Sequence, residues 1–277
     1  MSDTAYRRQP RLTRRGRLLL LLLALFLVAA GVALFLLLRG TGAPPRPLLV
    51  PEGWRASQVY EAVDKRLGVA PGTARRAAAT ARLKLPAEAR GNPEGYLYPA
   101  TYPVADDSTP GGLLAYMVET ANRHFGQDHI AEGARRSGLT VYQIVTVAGI
   151  VQAEADTKAD MGKVSRVIRN RLARGMPLQM DSTLNYALNR STLATTTGDT
   201  TTDSPYNTYA HKGLPPTPIA NPGQEAIEAA LDPTPGPWLY FVTVAPGDTR
   251  FTDDYAQQQR NVREFNENQR KTGGATG

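Results

Sequence analysis

A chain of 277 residues, 42% of them hydrophobic, is long enough for one large domain or two small ones around a real core. Its net charge of +7 sits at one end: residues 1–40 carry seven arginines against the single acid Asp3, which accounts for all but about one charge. The nearly neutral remainder has no basic stripe to track phosphates, which argues against a nucleic-acid partner, and three histidines (124, 129, 211) without cysteine leave no metal spacing, so no metal or cofactor is expected.

From the N-terminus, residues 1–17 form a basic tail. Leu18 to Leu38, LLLLLLALFLVAAGVALFLLL, is an uncharged run of 21 residues. That length spans a hydrocarbon core of about 30 Å as a helix. Six arginines precede it and Arg39 follows. The positive-inside rule therefore places the N-terminus in the cytoplasm and the rest outside. A cleaved signal peptide would have a shorter apolar core and a small-residue site after it. The run instead ends in Leu-Leu-Leu-Arg, so an uncleaved single-pass anchor is expected. The absence of cysteine suits an extracytoplasmic chain. Residues 39–47, containing GTGAPPRP, read as a short stiff linker.

Residues 48–104 read as a strand–helix–helix–strand unit. LLV is a strand, Pro-Glu-Gly a turn, and Val59, Tyr60, Val63 and Leu67 an apolar helical stripe with Ser57 as its cap. An Ala-rich helix spans roughly Thr73 to Leu83, and GYLYPATYPV, Gly95 to Val104, is an aromatic strand broken by Pro99. Helices follow at Leu113–Phe125, at Thr140–Ala155 with Thr140 and Gln143 as a capping box, and at Asp160–Arg174 with Gly175 as the stop. Residues 191–205 are a Thr-rich loop. Asn221 caps a helix that has Pro222 in its first position. Leu239–Val244 is a buried strand and Tyr255–Glu267 a polar helix, with residues 271–277 as a disordered tail. The fold class is α+β.

The chemistry centres on GIVQAEAD. At helical spacing Glu154 continues the face of Val147, Ile150 and Val151. Burial disfavours the ionised form and raises a carboxyl's pKa, which suits a general acid at neutral pH. The competing reading is a helix-terminal acid that turns back to water. Asp156 points elsewhere and fits a loop acid. Asp181, in PLQMDSTLNYAL, reads as an N-cap for 182–188. It is also the partner that a paired-carboxylate glycosidase would need. The segment 204–223 is long and rich in turn residues, and Tyr206, Asn207 and Tyr209 offer flat faces and an amide suited to sugar rings and hydroxyls.

Five segments, in order, resemble the YceG-like family of endolytic murein transglycosylases: PEGYLYPATYPV (93–104), LTVYQIVTVAGIVQAEA (139–155), VSRVIRNRLARGMPLQMDSTLNYAL (164–188), SPYNTY with GLPPTPIANPG (204–209, 213–223) and LYFVTV. The resemblance runs from about Leu48 to Phe265. It implies a LysM-like, glycan-binding subdomain at 48–104, a YceG-like, mainly helical catalytic domain at 105–270, and a plasma or inner membrane anchor at 18–38. It implies Glu154 as the catalytic acid/base, without metal or cofactor. The substrate-binding set expected within the matched segments is Glu94, Gln179, Asp181, Tyr206, Asn207 and Tyr209. It further implies cleavage of the MurNAc–GlcNAc β-1,4 bond of nascent peptidoglycan strands. Glu154 would protonate the leaving oxygen, then accept the proton of the MurNAc 6-hydroxyl as that oxygen closes on C1. The ends would be 1,6-anhydroMurNAc and strand length would be limited. Peptidoglycan synthases are the protein partners such an enzyme would meet.

Two departures stand out. Thr217-Pro218-Ile219 replaces the Gly-Pro-Ile of many relatives, and no histidine follows in FTDDYAQQQRNV, so no C-terminal histidine takes a role. Gln152 stands where many relatives carry another glutamate. Two alternatives remain in other classes: a non-catalytic wall-binding scaffold, and a muramidase that uses water. A linker of eight residues reaches about 25–30 Å at most, so the substrate is expected close to the membrane.

Overall fold

The computed structural model describes residues 23–33, 47–190, 196 and 198–273. It divides into two units, Met1–Arg46 and Pro47–Gly277. In the first, residues 23–33 are helical (α1) and expose Leu25, Phe26, Leu27 and Val28. The rest of the 18–38 run, the basic tail and nearly all of the linker lie outside the described residues. Among the described residues, no helix is long and apolar enough to cross a membrane.

The second unit opens with the expected β-α-α-β order. Strand β1 (Leu48–Val50) pairs antiparallel with β2 (Ala100–Tyr102), with Leu48 opposite Tyr102. Between them lie α2 (Ala56–Leu67) and α3 (Thr73–Thr80). Arg55, not Ser57, is the cap of α2, because Gln58 Oε1 accepts from the Arg55 N–H and starts the helix there. The buried Asp64 carboxylate accepts from Gly72 N and Ala74 N, which satisfies orphan donors at the start of α3. The strand in the aromatic segment is only three residues long. Tyr96 and Leu97, ahead of it, are core residues, and Tyr96 packs on Phe125 and Tyr142 with ring centroids 5.3 and 6.0 Å away.

Helix α4 (Pro110–Phe125) starts three residues before expectation because Thr109 caps it through Gly112 N. Helix α5 (Asp128–Ser137) was not foreseen, since few of its residues, Ile130 and Ala134 among them, make its apolar stripe. Helix α6 (Val141–Glu154) has the expected Thr140–Gln143 capping box. It is buried on every side from Ile144 to Val151 and forms the axis of the unit. Helix α7 (Lys158–Ala173) is capped by Thr157 and so begins two residues early. Helix α8 is Asp181–Ala187 and α9 is Gln224–Leu231. The LYFVTV segment becomes β3 (Tyr240–Ala245), which is half-buried, not buried. It forms a hairpin with β4 (Asp248–Thr252), absent from the sequence reading, and α10 (Tyr255–Gly273) covers it through Gln258 and Asn268 side-chain bonds to the Phe241 and Val244 carbonyls. Of the expected tail, 271–273 continue α10 and the rest lies outside the described residues.

Within the second unit, one residue ties the 48–104 segment to the helical body. Asn221 does not cap α9; Gly223 does. The Asn221 side chain is fully buried and turns the other way. Its Oδ1 accepts from Leu97 N at 2.8 Å, and its Nδ2 donates to Trp54 O at 2.7 Å. Its backbone N–H also reaches Trp54 O and its carbonyl accepts from Gly53 N. Three of these hydrogen bonds fix the Pro-Glu-Gly-Trp turn against the loop before α9, and the fourth adds the aromatic segment. Close approach completes the joint: a Cβ on Gly223 would lie 1.9 Å from the Glu52 carboxyl carbon, and one on Gly149 of α6 would lie 3.1 Å from Ala220 O. Asn221→Ala strands a buried N–H and should cost about 2–4 kcal/mol in urea unfolding. A loss under about 0.5 kcal/mol would show that the joint does not depend on this amide.

Candidate active site

The joint creates a cleft of about 540 Å³. Its walls are the turn Glu52–Arg55 with Gln58, the end of α6 at Ala153 and Glu154, the first turns of α8 at Asp181, Ser182 and Asn185, and the loop at Ile219 and Ala220. Glu154 is the last residue of α6, where the buried axis emerges from the core. It is half-buried, and Ser182 N–H donates to its Oε1 at 3.2 Å. Burial pushes the Glu154 carboxyl up, and the charge of Asp181 pushes the same way; the hydrogen bond from Ser182 N–H opposes both. A carboxyl so placed keeps its proton to higher pH than a solvated one.

Asp181 is in the cleft as the first helical residue of α8, not as its cap; Met180 holds that position. Tyr209 O–H donates to Asp181 Oδ1 at 2.5 Å, and burial together with Asp181 pushes the Tyr209 phenol well above its ordinary range. The turn that aims α8 is held tightly. Gln179 has φ +51°, a costly backbone for a residue other than glycine, and its N–H donates to Thr208 O. Met180 N donates to Thr208 Oγ1, and buried Arg171 donates to the carbonyls of Pro177 and Leu178 and to Gln179 Oε1. Gln152 Oε1 accepts from Gly223 N, so this position serves the joint through an acceptor that a glutamate also has.

The structure thus brings Glu154 and Asp181 into one cleft, with Tyr209 on Asp181. It puts the other expected residues elsewhere. Gln179 is spent on Arg171 beside the cleft. Asn207 is fully buried, and its amide donates to Thr200 O and Thr202 O while its oxygen accepts from Tyr209 N, so it holds its own loop. Tyr206 lies 4.9 Å from the Tyr186 ring and shares a hydrogen bond with Thr217. Glu94 is 3% exposed and accepts from Ala56 N and Tyr186 O–H. Burial raises its carboxyl to about 7 against those hydrogen bonds and nearby Arg55. Arg55 lies over the Tyr186 ring and donates to Asn185 O and Arg190 O, a second tie between the turn and α8. The cleft wall at Glu52–Arg55 was missed in sequence. Its only sign was a tryptophan in a charged turn, which names no neighbour.

The fold and cleft define an α+β protein whose buried central helix ends at a carboxyl, Glu154, in one cleft with a second, Asp181. The chain belongs to the YceG-like family, whose pattern matches residues 30–264. It is 38% identical over 160 residues to an endolytic murein transglycosylase of Bacillus subtilis, covering 57% of this chain and 44% of that one. It is 30% identical over 256 residues to an endolytic murein transglycosylase of Streptococcus pneumoniae D39, covering 81% of this chain and 46% of that one. It also superposes on the crystal structure of a yceG-like protein of Listeria monocytogenes with a TM-score of 0.68 at 28% identity, covering 78% of this chain and 75% of that one. The chain spans less than half the length of the two curated relatives.

The Glu94 carboxyl gives a pH signature. Its pKa is about 7 folded against 4.5 ordinarily, so between those values the folded chain keeps a proton that the unfolded chain has lost. The associated stability is complete below about 4.5 and is lost as pH rises to about 7, by roughly 3 kcal/mol. Glu154, also raised, acts with the same sign. Glu94→Gln should flatten the fall between pH 5 and 8 in denaturant titrations; an unchanged slope would show that Glu94 does not carry it.

Proposed function

We propose that this protein is a membrane-anchored lytic transglycosylase that cleaves the MurNAc–GlcNAc β-1,4 bond within nascent peptidoglycan strands. The observation that carries the reading is the raised carboxyl of Glu154, opening into a cleft between the N-terminal turn and α8. The names of the relatives support the same activity. Glu154 begins protonated and gives its proton to the leaving GlcNAc oxygen as the C1–O bond breaks. The resulting carboxylate then takes the proton of the MurNAc 6-hydroxyl as O6 bonds to C1. The proton is thereby returned, and the product ends in 1,6-anhydroMurNAc without water. Asp181, held by the Tyr209 hydroxyl, contributes negative charge that keeps Glu154 protonated and favours the cationic transition state at C1.

The anchor is residues 18–38, placing the N-terminus in the cytoplasm and the cleft outside, close to newly made strands and the synthases that make them. The uncharged run and its flanking arginines support this topology. The 48–104 unit is the LysM-like part. Asp181 in the same cleft also favours a second reading, in which it activates water and the enzyme is a muramidase.

Glu154→Gln keeps shape but cannot ionise. It should reduce cleavage of purified peptidoglycan by at least about 10²–10⁴-fold with folding retained. Mass spectrometry of wild-type products formed in ¹⁸O-water should show anhydro ends without heavy oxygen. Labelled reducing ends would select the muramidase, and an active Glu154→Gln variant would remove Glu154 from the chemistry.

A further inference from the structure

The cleft holds one indole, that of Trp54. Trp54 is half-buried in the N-terminal turn and lines the cleft with Glu154, Asp181 and Ser182. Its backbone is among the most tightly held in the molecule. Its carbonyl accepts from both the backbone N–H and the side-chain amide of Asn221, and the preceding residue donates to the Asn221 carbonyl. The side chain packs partly against the hydrophobic core, which holds the ring, and the rest of it is exposed. Among the described residues its indole N–H has no hydrogen-bond partner and its ring stacks on no other ring. The other tryptophan is different: Trp238 packs on Phe251 with centroids 5.8 Å apart.

A flat apolar face on a rigid turn, ringed by polar groups, is built for a ligand with one apolar and one hydroxylated side. The C–H face of a pyranose ring meets this description, with its hydroxyls within the reach of Gln58 and the indole N–H along the cleft. A fixed ring also orders little on binding, so its contact is gained at low entropic cost. We propose that Trp54 is the sugar platform of the cleft, taking a pyranose ring of the glycan strand next to the bond that Glu154 attacks. The proposal rests on the glycan reading of the substrate. It assigns the 48–104 segment a direct place in the active site: one wall of the cleft belongs to it, and the clamp at Asn221 is what presents the indole.

The test uses the full chain in detergent, carrying Glu154→Gln so that ligand is not consumed. The probe is a GlcNAc–MurNAc tetrasaccharide without stem peptides. With only two tryptophans in the chain, adding Trp238→Phe leaves Trp54 as the sole indole. That protein should show a saturable change in tryptophan emission on titration, and the change should vanish with Trp54→Phe in the Trp238-containing background. By calorimetry, Trp54→Leu should weaken binding about tenfold and Trp54→Phe should recover part of the loss. If Trp54→Leu does not fold, the emission titration with native Trp54 decides. Binding by calorimetry with a silent Trp54, or unchanged affinity in Trp54→Leu, overturns the platform alone when the wild type still cleaves peptidoglycan. Absence of binding to every variant, together with absence of wild-type cleavage, overturns the glycan reading and the platform with it.

Discussion

The buried amide of Asn221 is the interaction on which the site depends. An amide with no access to water must satisfy its donors and acceptor within the protein. Asn221 does so by bonding two separate stretches of the 48–104 segment, Leu97 N and Trp54 O. That requirement fixes the turn carrying Glu52, Gly53, Trp54 and Arg55 opposite the end of α6. Without it, Glu154 would end a helix at an open surface and meet ordinary solvent. With it, Glu154 faces a cleft whose far side is another part of the chain. The bare Cα of Gly223 allows the approach, because any side chain there would occupy the place of the Glu52 carboxyl.

The carboxyl groups around this joint show how stability and chemistry oppose each other. Glu94 is buried with two donors and still sits near 7, because desolvation outweighs them. Glu154 is raised by burial and by Asp181, with Ser182 pulling against both. A helix end of this kind would be more stable with a neutral side chain. The strained Gln179 backbone lies two residues before Asp181, which accepts a hydrogen bond from Tyr209. A raised carboxyl in a cleft, with backbone strain beside it, is the pattern expected where geometry is kept for function.

Much of this was legible in the sequence, for identifiable reasons. The capping box at Thr140 fixed the start of α6, and the β-α-α-β order followed from patterning. Glu154 was singled out by its phase on an apolar face. The structure gives a different cause: α6 is buried all round, so phase carried no information, and the carboxyl is special because it stands where the helix leaves the core. Helix α5 was missed because a stripe as small as Ile130 and Ala134 hardly registers. The β3 run looked buried because its apolar residues also cover a hairpin under α10. Asn221 looked like a cap because Asn-Pro-Gly is capping chemistry, and only the distant Leu97 and Trp54 redirect it. Asn207 and Tyr206 have the chemistry of sugar ligands, but in the fold they are spent on the Thr200–Thr202 backbone, Tyr186 and Thr217. Function that depends on contacts across more than a hundred residues has no local signal, which is why Trp54 was visible only as part of a turn.

The central claim is that the joint between the N-terminal turn and the helical body gives Glu154 its acid character. The most direct measurement is a ¹³C-detected NMR titration of the Glu154 side-chain carboxyl, assigned by its loss in Glu154→Gln and repeated in Asn221→Ala. The account predicts a midpoint clearly above the ordinary glutamate range in the wild type, falling toward that range when Asn221 is removed. A wild-type midpoint near 4.3, the ordinary value for glutamate, or a raised midpoint that Asn221→Ala leaves in place, would contradict it.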